Sequence, residues 1–149
     1  PADAERALMR GDVDAWTVWD PYIALAELRH KVRAIATNET IYPSSSFYLA
    51  NTGFAAQHSR ELAAVVDALE RTYAWADKHR PQAAAAIAQV TGVALPAQKR
   101  TLARLKISLA PLDDRTIAQQ QGIADTFKAL DLIPRAITVR DAVWRLPAD

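Results

Sequence analysis

Apolar positions along the chain change their spacing several times, and each change marks an element. Residues 59–80, SRELAAVVDALERTYAWADKHR, place Leu62, Val65, Val66, Leu69 and Tyr73 on one face at i, i+3, i+4, i+7 and i+11, with Arg60, Glu61, Asp67, Glu70 and Arg71 on the rest. That spacing predicts an amphipathic helix. Further helices are expected at 3–10, with Asp3 as N-cap and Gly11 at its end, and from Pro21 to about His30. Asn51 is expected to cap a short helix through TGFAAQH. Pro81 opens PQAAAAIAQVTG, which Gly92 closes, and Pro96 opens AQKRTLARLK. Asp113 or Asp114 caps a long helix reaching Leu130, whose buried side is expected at Ile117, Ile123 or Ala124, Phe127 and Leu130. TVRDAVW is a short helix anchored by Trp144.

Three short segments read differently. Residues 13–19, 32–36 and 47–51 are rich in branched and aromatic side chains and are expected to be strands. Residues 37–46 form a polar connection containing Pro43 and Ser44, Ser45 and Ser46, and ISLAPL is a further extended piece. Strands alternating with helices imply a parallel or mixed α/β sheet. Three or four strands are few for so many helices. With the opening Pro1-Ala2-Asp3, which lacks Met and leads into a helix, this reads as a fragment or processed product with further strands upstream, expected to fold poorly alone or to self-associate.

Composition narrows the possibilities. The chain has 149 residues, half of them hydrophobic and 23% charged, as in one ordinary globular domain. Its net charge of +1 is spread without a basic run, which argues against a nucleic-acid surface. It has no cysteine, which removes thiolate catalysis, disulfides and Cys-based metal sites. No stretch approaches the roughly 18 apolar residues of a membrane span, and no signal peptide opens the chain. His30, His58 and His79 are dispersed, so no metal or other cofactor is expected. No G-x-S-x-G motif and no paired acids suggest catalysis, and the chain is read as a non-enzyme.

The stretch DAWTVWDPYIALAE carries the most specific chemistry. Trp16 is mid-strand and expected to pack under a helix. Trp19 falls at the carboxyl end, where open α/β sheets place their ligands, beside a helix N-terminus that suits an anion. Asp20 reads both as the N-cap of that helix and as a wall of a cleft. An ionised Asp20 would repel a bound anion. Either the cap consumes its charge, or the ligand also carries an amine. Trp75 and Trp144 are expected to pack, and Asn51 is read as a cap rather than a ligand.

RGDVDAWTVWDPY, followed by SSSFYLAN and later by IADTFKALDLIP, resembles the aliphatic sulfonate-binding proteins of ABC importers, within the solute-binding group that also holds nitrate-, taurine- and thiamine-precursor-binding members. The resemblance runs through nearly all of the chain, while family members are considerably longer. It implies an α/β, two-lobed, type II periplasmic-binding-protein fold of which this chain is the C-terminal part. Residues 1–44 would end lobe two, 45–149 would be the returning half of lobe one, and the chain would cross near 43–47. It also implies a periplasmic or lipid-anchored protein outside the cytoplasmic membrane that hands a small anion to a membrane permease. In that reading Trp19, Asp20, Ser45, Ser46 and Phe47 line the cleft, with Ser46 the foremost donor to a sulfonate. The alternatives are another small anion or heterocycle, or a sensor or interaction domain of the same fold.

Overall fold

The computed structural model describes residues 1–37 and 45–145. Seven α-helices are present among them: α1 (Ala2–Arg10), α2 (Tyr22–His30), α3 (Thr52–Gln57), α4 (Ser59–Lys78), α5 (Arg80–Thr91), α6 (Leu95–Arg104) and α7 (Asp114–Ala129), followed by a 3₁₀ helix, Val139–Ala142. The chain divides into two compact units. The first is Pro1–Tyr42 with Arg71–Ser108, and the second is Pro43–Glu70 with Leu109–Asp149.

Local signals set the helix ends. Gly11 and Gly92 take the left-handed conformation after α1 and α5, at φ 77° and 70°; a side chain there would be strained. Asn51 accepts from the backbone N–H groups of Gly53 and Phe54, at 2.9 and 3.2 Å, and so caps α3. Of the two candidate caps for α7, Asp113 is the one used, accepting from the Thr116 N–H at 2.8 Å. Asp3, by contrast, lies inside α1 and pairs with Arg6; Pro1 precedes the helix without a side-chain cap.

The expected strands are absent. Residues 13–19, 32–36 and 47–51 are non-helical, but none joins a ladder, and the described residues contain no strand at all. The physical reason is that branched and aromatic residues favour a pleated surface only where a neighbouring strand supplies hydrogen bonds and a packing face. Here the segments lie open: Ile35 is 72% and Leu49 93% exposed. Among the described residues the expected sheet is therefore replaced by helices joined by unpaired extended segments. The anticipated crossing at 43–47 lies partly outside the described residues, as does most of the 37–46 connection.

In the first unit, α5 packs on α6 and α6 on α2. Ala83, Ala84 and Leu102 are buried together, with Ala76, Ile87 and Ile107 against them. The small alanines let the α5 and α6 backbones approach closely around one large side chain. Arg80, at the start of α5, donates from Nη1 to the carbonyls of Leu102 and Leu105, the latter at 3.1 Å. It thereby satisfies acceptors that the end of α6 would leave open. On α2, Ala24 and Ala26 are buried.

The second unit holds α3, the start of α4, α7 and the 3₁₀ helix. Gln121 joins α7 to the segment after it, donating to the Ile137 carbonyl at 2.9 Å and accepting from the Val139 N–H at 2.8 Å. Ile117 and Ala124 are buried as expected, but Phe127 and Leu130 are not. No residue of α4 is fully buried, so its apolar stripe is only half covered. Trp75 is likewise half exposed and stacks on His79, with ring centroids 5.1 Å apart, rather than entering a core.

Three expectations follow. Leu102→Ala should cost about 2–4 kcal/mol in chemical denaturation, because it removes the large buried side chain of the α5–α6 contact. The Thr116 hydroxyl and backbone N–H, hydrogen-bonded to Asp113, hold its carboxyl below the usual aspartate value of 3.8. A lowered folded value means that the cap stabilises α7 fully above the unfolded value and loses this contribution as pH falls through the folded one. A circular-dichroism acid titration should therefore show helix loss below about pH 4 that is smaller in Asp113→Asn. Finally, the open 47–51 segment should make the chain self-associate, and Leu49→Lys should reduce the associated fraction in sedimentation velocity.

Candidate functional site

The turn from Trp19 into α2 is built by the backbone. The Trp19 carbonyl accepts from Tyr22 N–H at 3.1 Å and Ile23 N–H at 3.4 Å. Trp19 is 66% exposed, and its ring meets Tyr22 edge-on at 6.1 Å. The turn therefore presents a flat apolar wall to solvent, although it does not end a strand as the sequence suggests. Trp16 is half-buried.

Asp20 does two things at this turn. Its Oδ1 accepts from the Ala24 N–H at 3.1 Å, inside the first turn of α2. The same oxygen lies 3.6 Å from Nη1 of Arg104, on α6. Arg104 also pairs with Glu27, which accepts from Arg100 Nη1 at 3.2 Å. The two acids are the shielded partners, with side-chain exposures of 16% for Asp20 and 20% for Glu27. Two carboxylates and two guanidiniums thus balance at the face of α2 next to Trp19.

Ser45, Ser46 and Phe47 belong to the second unit and are exposed, their hydroxyls and ring accessible at the start of the unpaired 47–51 segment. Ser44 lies outside the described residues. Trp19 and Asp20 are placed together in the first unit, and Ser45, Ser46 and Phe47 together in the second. Sequence reading did not single out Arg104, Arg100 or Glu27. Arg104 is 84 positions from Asp20, and only the basic end of α6 hinted at a partner.

A separate groove runs between α1 and α2, with His30 Nε2 3.1 Å and Arg29 Nη1 3.7 Å from Glu5 Oε1. Its remaining arginines, Arg6 and Arg10, pair with Asp3 and Asp12. The cations are spent on neighbours, and Trp19 is not among its walls. Among the described residues no group of three His, Cys, Asp or Glu side chains could hold a metal ion, and no helix is long and apolar enough to cross a membrane.

Comparison with known proteins gives a consistent result. The chain is 31% identical to a protein of Escherichia coli (strain K12) described as an aliphatic sulfonates-binding protein, over 97% of this chain and 46% of that one. It is 26% identical to one so described from Bacillus subtilis (strain 168), over 96% and 43%. Among solved structures, the periplasmic aliphatic sulphonate binding protein SsuA from Escherichia coli matches with a TM-score of 0.89 and 30% identity, covering 99% of this chain and 48% of that one. The alkanesulfonate-binding protein SsuA from Xanthomonas axonopodis pv. citri, bound to MOPS, matches with a TM-score of 0.83 and 32% identity, over 97% and 50%. The chain therefore spans about half the length of these relatives, which are described as binding proteins. The NMT1/THI5-like family matches residues 2–84, more than half of the sequence, and the chain belongs to that family.

Proposed function

We propose that this chain is part of an extracytoplasmic solute-binding protein that captures an aliphatic sulfonate between two lobes and delivers it to the permease of an ABC importer. The observation that carries this reading is the backbone likeness to sulfonate-binding SsuA over 99% of the chain. The segments that find no ladder here are, in this reading, strands whose partners lie in the other half of the relatives' length. The two-lobed α/β architecture is proposed on that ground. A crossing between lobes near 43–47 belongs to the same reading, and the Pro43-Ser44-Ser45-Ser46 break in the sequence motivates it. Periplasmic placement follows from what the Escherichia coli relative is said to be.

Chemistry supports the same ligand class. A sulfonate spreads one negative charge over three oxygens. Neutral donors such as the Ser45 and Ser46 hydroxyls hold it without a full countercharge, which keeps release fast enough for transport. Trp19 offers the alkyl tail a flat surface, and Phe47 a second one. Asp20 shapes the turn that presents Trp19. In this reading the protein performs no bond chemistry and needs no cofactor. Affinity comes from desolvating the tail and from hydrogen bonds to the head group.

The test is titration calorimetry with linear alkanesulfonates, alongside intrinsic fluorescence. Binding should shift or quench Trp emission. Trp19→Ala should weaken binding by about 1–3 kcal/mol through lost apolar contact, and Ser46→Ala by about 0.5–1.5 kcal/mol. Unchanged affinity in both variants would remove these residues from the site. Preferred binding of nitrate or of a heterocycle would overturn the sulfonate assignment.

A further inference from the structure

We infer that Arg104 is a specificity-determining positioning residue: by offsetting the Asp20 carboxylate next to Trp19, it makes the site favour alkanesulfonates without an amine over aminoalkanesulfonates. The inference rests on the proposed binding of a sulfonate whose tail lies on Trp19 and narrows the ligand class within it.

The argument starts from the charges. Asp20 is ionisable, mostly shielded from water, and adjacent in the chain to the exposed Trp19 ring. In that reading the tail end of the ligand lies on Trp19, one residue from Asp20, and the screening length that limits the carboxylate's reach is about 8 Å. Left alone, that carboxylate would attract an ammonium group carried on the tail. It is not left alone. Arg104 Nη1 lies 3.6 Å from it, and the Ala24 N–H donates to the same oxygen at 3.1 Å.

Arg104 is in turn fixed. Its Nη2 pairs with Glu27, which Arg100 also holds at 3.2 Å. Glu27 thus orients the guanidinium that reaches Asp20, while Arg100 completes the charge balance. With two acids and two arginines in balance, an ammonium group brought to Trp19 would give up water for a carboxylate already neutralised. A plain alkyl chain gives up nothing of the kind. Of the two resolutions of the Asp20 conflict, the geometry selects the one in which the protein itself spends the charge.

The experiment compares two near-isosteric ligands, propane-1-sulfonate and 2-aminoethanesulfonate, by calorimetry on the full chain. The wild type should favour propane-1-sulfonate. Arg104→Gln should move the ratio of affinities about tenfold toward the amine, and Arg104→Lys, which keeps the charge, should stay near the wild type. The double variant Asp20→Asn/Arg104→Gln should return to the wild-type ratio, because the charge needing an offset is gone. A merely structural role would weaken both ligands alike, and an unchanged ratio in Arg104→Gln would overturn the inference. Should that variant fail to fold, Asp20→Asn carries the test by moving the ratio the other way; no movement there overturns it equally.

A second measurement needs no ligand. Collisional quenching attributable to Trp19, taken as the difference from Trp19→Phe, should become weaker with iodide and stronger with caesium in Arg104→Gln, while neutral acrylamide quenches as before. Equal iodide and caesium responses in the two proteins would overturn the charge assignment. If neither sulfonate binds the wild type, the proposed function and the selectivity fail together, and the ion quenching still decides separately whether Arg104 sets the charge at Trp19.

Discussion

The clamp of α6 arginines on α2 acids is the interaction on which the first unit depends. Arg104 and Arg100 reach Glu27, and Arg104 also faces Asp20. Isolated ion pairs on a wet surface contribute about 0–1 kcal/mol. This one is different in kind, because the acids are largely withdrawn from water and share their partners. Removing Arg104 would leave the shielded Asp20 carboxylate without its ionic partner, while Glu27 would keep Arg100. The clamp fixes α2 to α6, and the α5–α6 contact around Leu102 fixes α6 in turn. Through these two contacts the Trp19 turn is tied to the buried Leu102 side chain.

Elements whose determinants lie within a few residues were legible in the sequence. Asn51, Asp113, Gly11 and Gly92 each act on backbone groups at most four or five positions away, and each is used as its residue type suggests. The strands were not legible in the same sense. Residues 47–51 have strand composition, but a ladder is made by two segments, and the chain's own described residues provide no second one. Phe127 and Leu130 fall short for a related reason. The spacing correctly marks one side of α7 as apolar, but how far along the helix that side is covered depends on what packs there, and cover extends only over Ile117 and Ala124.

The candidate site divides along the same line. Trp19 as an exposed aromatic at the start of a helix, and Asp20 as the acid serving that helix, follow from adjacent residues. The partner that resolves Asp20's charge does not, since no local rule connects position 20 with position 104. A conflict recognised in the sequence, an acid beside a presumed anion site, was nevertheless a pointer to something unseen. It marked where a cation had to be found.

One consequence concerns how such a protein can change over time. Helix α6 turns its buried residues, Ala97, Gln98, Thr101 and Leu102, inward, and lends Arg100 and Arg104 to α2. The same short helix thus serves the interior and the electrostatic setting of the turn. A lineage in which the charge at this turn changes cannot exchange Arg104 by itself without stranding Asp20, although Glu27 would keep Arg100. The economical route begins at Asp20, whose loss leaves Glu27 with both of its arginines. That ordering makes the aspartate the permissive position and the arginine the one that changes late.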